Sequence, residues 1–245
     1  MWSIEVLMSM VASQPSCNNP YLGQPHPYRK GRCTSSTAGP TDGRPGAKTL
    51  AMNDGSGRPL LRSERLLLRP AERGDIETIV GWLNDADVQE TLGVRGPLSQ
   101  AGEERWLEHL QEEQGKSRWH FVVCLRADGR PLGLAGLDRI DTINGAAEIG
   151  VSISQSSEWD KGYGTEVMEM LMDFGFGELR LHRIRLHVFT SNDRAVHVYE
   201  KVGFRHEGTE REAFFRHGRY LDVHVMGILR SEWEAQDRNR TWELD

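Results

Sequence analysis

The sequence predicts an α+β fold: a mixed, mostly antiparallel sheet flanked by helices, preceded by a disordered N-terminal tail. Three observations carry this. Short apolar runs are separated by turn dipeptides (Asp128-Gly129, Asn144-Gly145, His217-Gly218), the mark of antiparallel hairpins. Residues 146–189 instead run strand, helix, strand, which requires a parallel crossover. Residues 1–57 hold six of the ten prolines and many Gly, Ser and Thr, too little apolar surface to offset chain entropy.

The chain has 245 residues, 38% hydrophobic and 27% charged. That suffices for one sizeable core, at roughly 100–200 residues per domain. The expected division is a disordered or non-native extension at 1–57, one folded domain at 58–235 and a tail at 236–245. No apolar run approaches the ~20 residues that span a bilayer. Three cysteines make no disulfide framework, which suits a reducing compartment, and no Cys/His cluster has zinc spacing, so no metal is expected. The opening MWSIEVLMSMVAS has a signal-like apolar core but lacks a basic start and carries Glu5, so a cytoplasmic protein is expected. Met52 is an alternative start of the compact domain.

The net charge of −6 is uneven. Arg29, Lys30, Arg32, Arg44 and Lys48 oppose Glu5 and Asp42, so residues 1–51 carry +3 and the remainder −9. An acidic domain disfavours nucleic acid and suits a cationic acceptor.

The elements follow in order. Arg65–Arg69 is an apolar run stopped by Pro70, hence a strand. Asp75 caps a helix with Ile76, Ile79, Val80 and Leu83 on its apolar face. Ser99 caps a second helix to about Gln114, with Trp106, Leu107 and Leu110 inward. Strands follow at 119–126, 131–140 and 146–153. A helix at about 162–177 leads to a strand at 183–189. Asn192 or Asp193 starts a helix that reaches Lys201 and stops at Gly203. Strands at about 204–213 and 219–229 complete the order βααβββαβαββ.

The chemistry lies where strand 146–153 feeds SQSSEWDKGYGTEVMEMLMDFGF. A glycine turn opening a helix presents free N–H groups at the positive end of the helix dipole, a site for phosphates. Gly162 and Gly164 permit close backbone approach. The P-loop pattern fails, because Lys161 precedes its glycine. The dinucleotide pattern fails, because Val167 stands at the third glycine and no ribose-binding acid follows.

The third phosphate motif is [QR]-x-x-G-x-[GA], and Trp159-Asp160-Lys161-Gly162-Tyr163-Gly164 aligns with it, with Trp159 in place of Gln or Arg. A second block, from Asn192 through Ala195 and Tyr199 to Gly203-Phe204, matches N-x-x-A-x-x-x-Y-x-x-x-G-F at every fixed position. With both blocks in order, residues of about 60–233 resemble the GNAT acetyltransferase superfamily, and most of all its ribosomal-protein alanine N-acetyltransferase branch.

The resemblance implies an acetyl-CoA-dependent N-acetyltransferase, with acetyl-CoA as cosubstrate and no metal. It implies an amine acceptor (a protein N-terminus, a polyamine or another small amine), with no nucleic acid and no membrane; a homodimer is left open. The alternative is a GNAT-fold module that binds acyl-CoA or a partner without turnover. Cofactor contacts are implied at Trp159, Asp160, Lys161, Gly162, Tyr163, Gly164 and Thr165, at the backbone of Val151, Ser152 and Ile153, and at Asn192, whose simpler role is helix capping. Tyr199 matches the family's general acid, a phenol that can protonate the departing thiolate; its simpler role is packing.

Glu148 is an acid in mid-strand, on one face with Gly150 and Ser152, and is similar to the family's strand glutamate. It is a general base, directly or through water, or a hydrogen-bonded structural acid. His109 and His120 are expected at the surface or an edge. His182 and His187 border the cleft and His197 shares the helix of Tyr199, none at a family catalytic position. Met168, Met170 and Met172 are expected in packing, and Asp222 in structure. Acceptor choice is expected to lie in 91–98 and the 212–219 turn.

Overall fold

A hairpin of β1 (Leu61–Arg62) and β2 (Leu66–Arg69) opens the part of the chain that the computed structural model describes, residues 61–243. The expected extension at 1–57 lies outside the described residues. Helices α1 (Ile76–Leu83), α2 (Ala86–Thr91) and α3 (Gln100–Glu113) come next. Then follow β3 (Trp119–Leu125), β4 (Pro131–Asp141) and β5 (Ala146–Ile153). Helix α4 (Tyr163–Asp173) crosses over to β6 (Arg183–Phe189). Helix α5 (Asp193–Lys201) leads to the hairpin β7 (Arg205–Arg216) and β8 (Arg219–Leu229), and α6 (Arg230–Glu234) follows.

The strands form one sheet in the order β1-β2-β3-β4-β5-β6-β8-β7, as a mixed, mostly antiparallel fold requires. Among the described strands only β5 and β6 pair in parallel, because α4 carries the chain across. One face of the sheet packs Ile149, Val151, Ile184, Leu186 and Val188 against Met168, Met172 and Tyr199. The other packs Val122, Cys124 and Leu134 against Ile79, Trp82, Trp106 and Leu110 of the early helices.

Several features differ from the sequence expectation. Strand β1 and helices α2 and α6 were not anticipated. Helix α2 has six residues and buries only Val88, too few to show a helical period. It forms because the Asp85 carboxylate accepts the Val88 N–H at 3.2 Å. Asp75 does not cap α1. Its carboxylate turns back to Arg69 (2.7 Å to each of two guanidinium nitrogens) and to the Glu72 N–H (2.8 Å). Ser99 does cap α3, accepting from Gly102 N–H at 3.2 Å.

The expected helix 162–177 is α-helical only to Asp173 and then widens into a π-turn at Phe174–Glu178. His120 is not at the surface. It is buried, with Nε2 at 2.5 Å from Asp138 Oδ2, because its neighbours in β3 are core residues on both faces.

Residues near the C-terminal end pack on the domain. Arg238 pairs with the buried Asp173, the Thr241 N–H donates to the same carboxylate at 2.8 Å, and Trp242 packs on Trp233. The three methionines of α4 are fully buried, and Asp222 accepts the Glu212 N–H at 2.7 Å beside a β7 bulge.

Candidate active site

The site starts where two parallel strands part. β5 and β6 pair at Ala146–Arg183, Ala147–Ile184 and Glu148–Arg185, and the ladder stops there. β5 remains paired with β4 as far as Ile153. The Ser154 N–H donates to Leu132 O, so alternation directs the peptide groups of Val151 and Ile153 away from β4, into the gap. A backbone edge of this kind offers its hydrogen bonds to a ligand that carries amides.

The glycine turn fills one end of the gap. Asp160 (φ 61°) and Gly162 (φ 82°) are left-handed, and α4 begins at once with Tyr163. Only glycine takes this conformation without a Cβ penalty, which accounts for Gly162. Gly164 has an ordinary φ, and a Cβ there would meet nothing nearer than Val198 Cγ1 at 3.9 Å. The backbone there does not require glycine. The free N–H groups of this helix start face a cleft of about 110 Å³.

Arg65, on the β1–β2 hairpin, braces the turn from outside. It donates to Lys161 O at 3.0 Å, pairs with Glu166 and lies over the Tyr163 ring at 4.6 Å. The Lys161 side chain turns aside to Glu158 (2.8 Å), which also takes Arg130 (2.9 Å). Those two hydrogen bonds, Lys161 first, hold the Glu158 carboxyl below the ordinary carboxylate range. Trp159 donates its indole N–H to Ile153 O and carries Arg194 over its ring at 3.8 Å.

The structure brings most of the expected residues together. Val151, Ser152, Ile153, Trp159, Asp160, Gly162, Tyr163, Gly164, Thr165 and Tyr199 all line the cleft. Tyr199 is 2% exposed, and burial pushes its phenol above the ordinary tyrosine range.

Glu148, Lys161 and Asn192 are not among the lining residues. Asn192 is seen as a cap, its side chain accepting from Ala195 N–H at 3.3 Å. Glu148 is fully buried at the apex of the splay, with Oε1 3.3 Å from His187 Nδ1 and Oε2 3.6 Å from Arg185 and 3.9 Å from Arg139.

Five lining residues were not named as cofactor or catalytic residues: Glu158, Ala195, Val198, Arg194 and Thr91, the last within the 91–98 segment expected to choose the acceptor. Arg194 stands in a variable position of the second motif, yet the first turn of α5 faces the glycine turn. Thr91 closes the cleft from α2, a helix the sequence did not reveal. Among the described residues no group of three or more His, Cys, Asp or Glu is placed to hold a metal, and no helix is long and apolar enough to cross a membrane.

A strand splay with free peptide groups, a helix N-terminus at its end and a buried phenol beside it fit a long, amide-containing phosphorylated thioester. Residues 65–205 match the acetyltransferase (GNAT) domain family, and the chain belongs to it: it is an acetyl-CoA-dependent N-acetyltransferase. Within that family it is 34% identical to the spermidine N(1)-acetyltransferase of Vibrio cholerae over 173 residues, 70% of this chain and 96% of that one. The crystal structure of the Vibrio cholerae spermidine N-acetyltransferase in complex with CoA and spermine superposes with a TM-score of 0.63. It is 33% identical and covers 70% of this chain and 99% of its own. The putative ribosomal N-acetyltransferase YdaF of Bacillus subtilis is 32% identical over only 109 residues, 44% of this chain and 59% of its own.

Proposed function

We propose that this enzyme acetylates a primary amine of a polyamine. One observation carries the reading: similarity to a spermidine N(1)-acetyltransferase extends over nearly that enzyme's whole length, whereas the ribosomal N-acetyltransferase matches over little more than half of its own. The acidity of residues 52–245, with a net charge of −9, supports it, since a polycation is drawn to such a domain. The ribosomal-protein branch suggested by the sequence motifs is the lesser reading.

Acetyl-CoA supplies the activated acetyl thioester. The chain's own residues do the rest. The amides at Tyr163, Gly164 and Thr165 hold the phosphates, with Arg194 alongside, and the peptide groups of Val151 receive the amide-bearing arm. The Tyr199 hydroxyl donates its proton to the departing sulfur. Glu148, at the apex where the strands separate, accepts the proton of the acceptor amine through water, with His187 and Arg185 fixing its carboxylate. Asn192 sets the first turn of α5 and so the height of Tyr199.

An acceptor screen with mass detection tests the reading. Spermidine, spermine, an aminoglycoside and a peptide with a free alanine N-terminus are offered with acetyl-CoA. Monoacetylated spermidine is expected as the main product. Acetylation of the peptide in preference to the polyamines overturns the reading.

A further inference from the structure

The tip of the β7–β8 hairpin reaches the wall of the cleft chiefly through one side chain. Arg216, the last residue of β7, donates to three carbonyls of a segment more than 120 residues away. Nη1 donates to Gln89 O at 2.6 Å, and Nη2 donates to Leu92 O and Val94 O at 2.8 Å each. These are the carbonyls at the end of α2 and just beyond it. A helix C-terminus leaves such groups without intrahelical partners and at the negative end of the dipole, where a cation is favoured. The planar fork of arginine can serve several acceptors at once, which an ammonium on a flexible stem cannot.

The same guanidinium also touches the opposite wall. It lies 5.6 Å from the Phe189 ring and 5.1 Å from the Phe214 ring. Phe189 ends β6, and its carbonyl accepts the Asn192 N–H at 2.9 Å, so it sets the start of the helix that carries Tyr199. Thr91, on the first wall, faces the same cleft as Tyr199. His217, next in sequence, adds a contact between its Nε2 and Glu90 Oε1 at 2.7 Å. Arg216 thus links the α2 wall to Phe189 at the start of the β6–α5 turn, alongside His217 on Glu90 and Arg95 over Phe214. It is not among the residues that line the cleft.

We propose that Arg216 is a positioning residue for the acceptor: by fixing Thr91 and the 92–94 backbone against the β6–α5 wall, it sets the width of the acceptor end of the cleft. This rests on the reading of the cleft as an amine acetyltransferase site. The cofactor end is built by the glycine turn, Trp159 and Arg65, none of which Arg216 touches, so the two substrates should respond differently.

The test compares wild type with Arg216→Lys and Arg216→Gln. Steady-state kinetics gives KM and kcat for spermidine, and calorimetry gives Kd for acetyl-CoA. Hydrogen exchange follows the amides of 86–94 and 190–199. Both variants should raise the spermidine KM by at least about tenfold, the loss expected for charge-assisted hydrogen bonds, and Lys should not rescue. The acetyl-CoA Kd should stay within about twofold, since uniform binding of the other substrate is untouched. Exchange should quicken at 86–94.

An unchanged spermidine KM in Arg216→Lys overturns the proposal. So does a rise in acetyl-CoA Kd that parallels the rise in KM, which marks a general loss of structure. Failure of the polyamine reading is seen separately, in the wild type. If wild type prefers another amine, the KM comparison uses that amine. If it turns over none, unchanged exchange at 86–94 in both variants overturns the proposal.

Discussion

The indole N–H of Trp159 donates to the carbonyl of Ile153 at 2.6 Å and so ties the cofactor turn to the last residue of β5. At this position the family motif has Gln or Arg, which invites a side-chain contact to phosphate. The tryptophan instead spends its one donor on the protein. The Ile153 carbonyl thus already has a partner, which leaves Val151 as the better backbone contact for an incoming amide. The ring face supports Arg194, and that guanidinium is the cation the turn offers at the cleft.

Trp159→Phe should keep an aromatic face, though a smaller one, and remove the donor. Stability should fall by about 1 kcal/mol, the usual net value of one hydrogen bond, as read from urea unfolding. Arg194→Ala should leave stability nearly unchanged and weaken acetyl-CoA binding by about tenfold or more, read by calorimetry. Undiminished affinity in Arg194→Ala would remove it from the phosphate site.

The two glycines of the turn should separate. Gly162→Ala forces a Cβ into the left-handed region and should cost about 1–2 kcal/mol of stability. Gly164→Ala has room for its methyl in the free protein and should melt no lower than wild type, since alanine favours a helix by about 1 kcal/mol over glycine. It should nonetheless weaken acetyl-CoA binding, and Gly164→Asp, adding negative charge, should abolish it. If Gly164→Asp binds acetyl-CoA with unchanged affinity, the cofactor assignment is wrong.

Tyr199→Phe preserves the packing and removes the proton donor. Turnover should drop by about 10²–10⁴-fold with little change in acetyl-CoA affinity. Glu148→Gln should slow the reaction most at acidic to neutral pH, where the acceptor is an ammonium that must lose a proton. High pH should partly restore the rate. A pH–rate profile that keeps its shape in Glu148→Gln would make Glu148 a purely structural partner of His187 and Arg185.

Glu103 on α3 is buried, and burial pushes its carboxyl up to about 7. The folded state therefore holds this proton more tightly than the unfolded chain. The resulting stabilisation is complete below the ordinary carboxylate range and is lost as pH rises through about 7. Glu103→Gln should change stability little near about pH 5 and raise it by about 1–2 kcal/mol near about pH 8.5, where wild type must hold a buried charge. Urea unfolding at the two pH values checks this, and an equal effect at both would show that Glu103 is charged in a solvated site.

Much of the fold was legible because it is local. Asn144-Gly145 and His217-Gly218 announce their hairpins, and β5 and β6 fall where the apolar runs lie. The site was legible where motif and geometry coincide: the glycine turn, Val151 to Ile153, and Tyr199 one helix further on. Asp75 was misread because Arg69, six residues earlier, outbids the helix N-terminus for its carboxylate. His120 was misread because alternation does not reveal that both faces of β3 are covered. Helix α2 was missed because one buried valine makes no period.

The sequence by itself determined the class of fold, the order of seven of the eight described strands and of four helices, and the glycine turn with the tyrosine that shares its cleft. Each is written in residues close together in the chain, where turn dipeptides, caps and helical spacing act within a few positions. Only the tertiary structure decided what braces that turn and what shapes the acceptor end. Arg65 reaches Glu166 across 101 residues, and Arg216 reaches Leu92 across 124. Such contacts depend on how the whole sheet brings distant segments together, and no local preference encodes which carbonyl an arginine will meet.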